Sequence, residues 1–106
     1  MVTYEDFKKL ELIVALIKEV QEHPNADRLY VLKIDTGKEE KQLVAGIRAN
    51  YKPEELIGRK VVVINNLEPA VIRGQASSGM ILAASGENGP VILLPQKDVP
   101  VGAMIK

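Results

Sequence analysis

The sequence predicts an all-β fold, a small five-stranded Greek-key barrel with short helices and a C-terminal β extension. Three observations point there. Short runs rich in Val, Ile and Leu recur along the chain, each closed by turn residues. Only two segments carry helix-start chemistry, and both are short. No internal repeat or low-complexity stretch suggests any other architecture. A two-sheet sandwich fits the same pattern and stays open at this point.

Thr3 and Asp6 have the spacing of a helix-capping pair, with Asp in place of the preferred Glu or Gln, so Tyr4 to Lys9 is expected to be a helix of about two turns. From Leu10 to Val20 the chain is dominated by Leu, Ile and Val, which suits a long strand covered on both faces. His23-Pro24-Asn25-Ala26-Asp27 breaks it. Leu29 to Ile34 resumes as strand, and Asp35-Thr36-Gly37-Lys38 supplies turn chemistry before a third strand from Gln42 to Ile47. Pro53-Glu54-Glu55-Leu56 places proline and acids where a first helical turn favours them, and Gly58 ends that turn. Arg59 to Asn65 is the fourth strand and Met80 to Ala84 the fifth. Gly86-Glu87-Asn88-Gly89 is hairpin chemistry leading into Val91 to Leu94. The chain thus divides into an N-terminal helix (1–9), a barrel (10–84) and a C-terminal extension (85–106). A single small helix between the third and fourth strands is the arrangement of the oligonucleotide/oligosaccharide-binding fold, the OB-fold.

A chain of 106 residues with 46% hydrophobic content fits one domain. Cysteine is absent, which removes disulfides, thiolate metal clusters and a Cys nucleophile. No segment approaches the roughly 18 uninterrupted apolar residues of a membrane helix, and the acidic start is unlike a signal peptide. A soluble cytoplasmic protein without a membrane partner is expected, and Met1 with its short helix favours an independent start. Lys plus Arg equals Asp plus Glu at 14 each, which argues against holding nucleic acid by bulk charge. The distribution is uneven: residues 1 to 27 balance to 3 − 6 = −3 and residues 28 to 73 to 9 − 6 = +3. A solvated mixed surface explains that middle excess as well as a binding face does.

Catalytic chemistry is scarce. His23 is the single histidine and precedes a proline in a turn, which suits a structural role better than a base or ligand. Glu39-Glu40 and Glu54-Glu55 read as solvated and helix-start acids, and no Walker pattern occurs. No catalytic residue, cofactor or metal is therefore expected. Tyr4, Phe7, Tyr30 and Tyr51 are the only aromatics, too few for a row of stacked bases. Any RNA contact should instead be to backbone and folded shape. The stretch from Asn65 to Ala84 is the most suggestive. Arg73 offers a guanidinium fork suited to phosphate, Asn66 an amide that donates and accepts, and Gly74 and Gly79 allow close backbone approach. A plain strand-linking loop with glycines for turn geometry accounts for the same residues.

Five ordered blocks carry a resemblance over nearly the whole chain: His23-Pro24-Asn25-Ala26-Asp27-Arg28-Leu29-Tyr30-Val31, Val44-Ala45-Gly46-Ile47, Tyr51-Lys52-Pro53-Glu54-Glu55-Leu56-Ile57-Gly58, Asn66-Leu67-Glu68-Pro69, and Ser77-Ser78-Gly79-Met80-Ile81-Leu82-Ala83-Ala84. They resemble the tRNA-binding domain of methionyl-tRNA synthetase, which occurs as a C-terminal appendage, a free-standing beta subunit and a stand-alone tRNA-binding protein. The resemblance implies an OB-fold, a homodimer built partly through the terminal segments, and non-catalytic binding of folded tRNA, with the synthetase catalytic chain as a further partner. By position it marks Asn66, Arg73, Ser77, Gly79 and Met80 as tRNA-binding, although a Met opening a strand also suits a core. The charge pattern adds Lys33, Arg48, Lys52 and Arg59 as phosphate contacts. Departures from the family's usual residues at Ile13, Leu16 and Val71 remove positive charge, and each lost phosphate contact flattens the salt dependence by roughly one log-log unit. A related bacterial family shares the barrel and dimer but works as a polypeptide-binding export chaperone, and apolar Ile13, Leu16 and Val71 lean that way.

Overall fold

The computed structural model describes all residues, Met1–Lys106. Its elements run α1 (Tyr4–Lys8), β1 (Leu12–Glu22), β2 (Tyr30–Asp35), β3 (Glu40–Ala45), α2 (Pro53–Leu56), β4 (Lys60–Ile64), β5 (Ala70–Ile72), β6 (Gln75–Ser77), β7 (Met80–Ile81), β8 (Ala83–Gly86) and β9 (Gly89–Ile92). Five of these strands form one antiparallel sheet in the order β3-β2-β1-β4-β7. No helix is long and apolar enough to cross a membrane.

β1 makes the barrel possible because it is shared. Its first half, Leu12 to Leu16, pairs with β4, and its second half, Leu16 to Glu22, pairs with β2. The register shifts between Ile17 and Glu19, leaving Lys18 as the extra residue of a bulge, the device that bends a strand and raises its twist. The expected cover on both faces holds only for Leu12 to Ala15, all buried; after Ile17 the strand surfaces. It also runs on to Glu22, past the expected end at Val20, because Gln21 and Glu22 still pair with Val31 and Tyr30. Backbone ladders do not require apolar side chains. Inside the curl, Ile17, Leu32, Ile34, Leu43, Leu56, Val61 and Val63 are fully buried, each stabilising the fold by roughly 1.5–3 kcal/mol.

The two free edges of the sheet, β3 and β7, are stitched together by the segment that leads into β7. Ser78 N–H donates to Gln42 O at 2.9 Å, and Val44 N–H donates to Ser77 Oγ at 3.0 Å. Gln42 Nε2 adds a bond to Ala76 O at 2.8 Å. This is a closed curl of one sheet, which settles the sandwich alternative in favour of an OB-like barrel.

Three local expectations need correction. The loop from Asn65 to Ala84 contains an unforeseen hairpin, β5–β6, with Ile72 opposite Gln75 around a two-residue turn. The expected fifth strand is two: Met80–Ile81 pairs with β4, while Ala83–Gly86 leaves to pair with β9. The unbroken apolar run hid this change of partner at Leu82. The last strand is Gly89–Ile92, not Val91 to Leu94, and Leu93 and Leu94 are exposed.

The C-terminal tail then returns to β1, on the side that β2 leaves free. Gly102 N–H donates to Val14 O at 2.7 Å, Val14 N–H to Ala103 O at 2.9 Å and Ile105 N–H to Leu12 O at 2.9 Å. Lys60 latches this strap, with Nζ 2.7 Å from both Asp98 Oδ1 and Val99 O. At the other terminus the Thr3–Asp6 capping box forms in full, yet α1 buries no residue at all.

Candidate nucleic-acid interface

Two loops define the candidate surface: 23–29, between β1 and β2, and 65–79, between β4 and β7. In OB-folds, ligands gather between the loops at these two positions. Here they are bolted to each other. His23, 3% exposed, accepts a hydrogen bond from Asn25 N–H at Nδ1 (2.9 Å) and donates from Nε2 to Ile72 O (3.0 Å), a tautomer assigned from these partners. Both ring nitrogens are occupied, so His23 is a clamp between the loops, in keeping with the structural role expected for it.

Arg73 and Gly74 form the turn of the β5–β6 hairpin. Both have positive φ, 53° and 89°, the requirement of a type I′ turn. Arg73 is the one non-glycine residue in the chain with positive φ, a conformation that costs roughly 1–2 kcal/mol. One guanidinium nitrogen donates to Asn25 O at 3.1 Å, which ties the turn to loop 23–29. The side chain stays exposed, and the rest of its fork of donors points to no protein acceptor.

The other predicted residues have distinct placements. Ser77 is buried, its hydroxyl accepting from Val44 N–H and donating to Gly79 O at 3.1 Å. Gly79 has φ 147°, and a Cβ there would lie 2.8 Å from Ile64 O, so the backbone approach admits glycine alone. Asn66 sits away from both, where its Oδ1 accepts from Glu11 N–H (2.7 Å) and its Nδ2 donates to Lys9 O (2.8 Å), pinning the α1–β1 junction. Met80 is 43% exposed and lines the surface, resolving its position in favour of the loop edge over the core.

Among the basic candidates, Lys33 pairs with Glu19 at 3.7 Å, and Arg48 pairs with Glu22 at 2.8 Å while donating to Ala26 O at 3.2 Å. Lys52 and Arg59 have no carboxylate partner. Arg59 lies at the start of β4 and Asn66 beyond its end, about 23 Å apart along extended chain. The structure therefore brings Ser77, Gly79 and Met80 to one surface, with Arg73 at the tip of the adjoining hairpin and Asn66 turned toward the α1–β1 junction just before Leu67, and it leaves Lys33 and Arg59 elsewhere.

Beside the stitched seam lies an open groove of about 440 Å³, lined by Val44, Ile47, Leu67, Ile72, Met80 and Pro90 among others. Sequence reasoning missed this groove because its walls come from strand ends far apart in the chain. The barrel offers no stacking platform: Tyr30 is buried with its hydroxyl on Tyr51 O at 2.7 Å, and the Tyr51 hydroxyl accepts from Ile92 N–H at 3.1 Å. Tyr4 is the exposed aromatic, on α1, with Lys8 Nζ 5.5 Å above its ring.

The chain matches a family model described as "Putative tRNA binding domain" over residues 12–104. It is 53% identical over 105 residues to the methionine–tRNA ligase of Thermococcus kodakarensis, covering 99% of this chain and 14% of the relative. The methionine–tRNA ligase of Nanoarchaeum equitans is 46% identical over 106 residues, again 14% of that protein. Among solved structures, a MetRS-related protein from Pyrococcus horikoshii is similar with TM-score 0.92 and 33% identity, covering 100% of this chain and 98% of that one. The CsaA chaperone protein from Picrophilus torridus has TM-score 0.93 and 35% identity, with 100% of both chains covered.

Proposed function

Because the chain belongs to the tRNA-binding domain family, we propose that it is a non-catalytic module that holds folded tRNA by shape and backbone contacts and so supports methionyl-tRNA synthetase aminoacylation. The observation that carries this reading is the family match across residues 12–104. The chain spans 14% of the length of its ligase relatives, which suits an appended or associated module that raises the local concentration of tRNA. Such tethering needs only modest affinity.

In this reading the site residues divide by task. Arg73, Met80, Lys52 and Arg59 meet the ligand, while Asn66, Ser77 and Gly79 hold the loop's shape from within, and Lys33 and Arg48 contribute to the field only after giving up carboxylate partners. A homodimer completes it. α1 buries no residue, Tyr4 is exposed and Phe7 half-buried on it, and Val2 and Met104 are exposed toward the two termini. Two-fold pairing there would present two equivalent tRNA surfaces in the cytoplasm.

The test is a titration of bulk tRNA at about 50 mM salt, where phosphate contacts are strongest. Binding with little preference among isoacceptors is expected, weakened by Arg73→Ala. Absence of binding at that salt would sink the reading. A second reading, a polypeptide-binding chaperone, is favoured by the apolar groove with exposed Leu67 and Met80 in its lining and by exposed Val71 on the neighbouring hairpin. Tighter capture of an unfolded polypeptide than of tRNA in the same titration would support it instead.

A further inference from the structure

The strap that closes the C-terminus creates a second charged feature, distant from the two loops. The α2–β4 turn and residues 94–98 enclose a surface cleft of about 290 Å³ lined by Gly58, Arg59, Lys60, Leu94, Pro95, Gln96, Lys97 and Asp98. Its charges sum to 3 − 1 = +2, from Arg59, Lys60 and Lys97 against Asp98. Asp98 is already satisfied by Lys60 at 2.7 Å. Arg59 and Lys97 have no carboxylate within ion-pair distance, and Arg59 spends only its Nε, donating to Glu55 O at 3.3 Å. The backbone N–H groups of Gln96 and Lys97 donate to no protein acceptor either.

A third unpaired cation stands next to this cleft. Ile17 N–H donates to Arg59 O at 3.0 Å and Gly58 N–H to Ile17 O at 2.9 Å, so the bulged residue Lys18 follows directly on the turn's hydrogen-bonded neighbour. Bulges re-aim a side chain, and Lys18 is exposed without an ion pair. Donors without acceptors, fixed around a concavity, suit a tetrahedral polyanion better than a carboxylate-poor protein surface.

We propose that this cleft is a second phosphate-contact site for the RNA backbone, with Arg59 and Lys97 as its direct contacts and Lys18 at its margin. The inference rests on the tRNA-binding reading and extends it to the opposite end of β4 from the recognition loops. A ligand touching both must reach across the barrel, about 23 Å along β4, and a folded tRNA is large enough to do so.

The experiment compares the unaltered chain with Arg59→Gln, Lys97→Gln and the double variant, measuring bulk tRNA affinity between about 50 and 200 mM salt. Each single change is expected to lower the log-log salt slope by about one unit and the double by about two, with the thermal unfolding midpoint unmoved. Lys97→Glu should weaken binding more than Lys97→Gln. Unchanged slopes in variants of a chain that binds tRNA would overturn the second site alone. Failure of the unaltered chain to bind would overturn the functional reading and this site with it.

Discussion

Ser77 shows how a residue in a recognition motif serves the fold first. Its hydroxyl accepts from Val44 N–H and donates to Gly79 O in a buried setting, so Ser77→Ala leaves an amide without an acceptor and is expected to cost about 1–3 kcal/mol in chemical denaturation. Gly79→Ala meets a different obstacle. A Cβ 2.8 Å from Ile64 O at φ 147° should destabilise by at least about 1–3 kcal/mol from backbone strain, seen as a lowered melting temperature. Arg73→Ala carries no such burden, since only one exposed bond to Asn25 O is lost, and its effect should fall on tRNA affinity and leave stability nearly intact. The residue types in this motif were legible in the chain. Which of them face inward was not, because burial depends on Val44 and Ile64, which lie on other strands.

Among the elements, the C-terminal strap has the most exposed fastening. The Lys60 ammonium, through its hydrogen bond and its charge, holds the Asp98 carboxyl below its ordinary value of 3.8. A depressed carboxylate stabilises the strap above that ordinary value and loses its contribution as pH falls through the lower folded value. Protection of the Gly102 and Ile105 amides, whose N–H groups bond to β1, measured against the intrinsic exchange rate at each pH, should therefore fall modestly in acid below about pH 4, and Asp98→Asn should show the same reduced protection already at neutral pH. An exchange rate in the Asp98→Asn chain matching the unaltered one would refute the latch. The strap was anticipated only as part of a C-terminal extension over residues 85–106. Sequence periodicity identifies strands but not their partners, and for the same reason the β5–β6 hairpin and the break at Leu82 were hidden.

For the whole molecule, the unsettled apolar surface is α1, a helix with no buried residue in a chain of 11.6 kDa. Pairing through α1 and the tail predicts sedimentation as a species of 2 × 11.6 = 23.2 kDa, reduced to one chain by Tyr4→Ser with Phe7→Ser while the melting profile of the barrel persists. A single-chain species in the unaltered protein would refute it. The four longer strands of the sheet, both short helices, the capping box, the structural histidine and the family itself were determined by the sequence, because turn chemistry, capping and apolar patterning are local and the motif blocks are ordered along the chain. Tertiary structure alone decided how β1 divides between two partners, how Ser77 and His23 lock the loops, and which cations stand free. Each of those depends on atoms brought together from distant positions, and no local pattern records where a chain will meet itself.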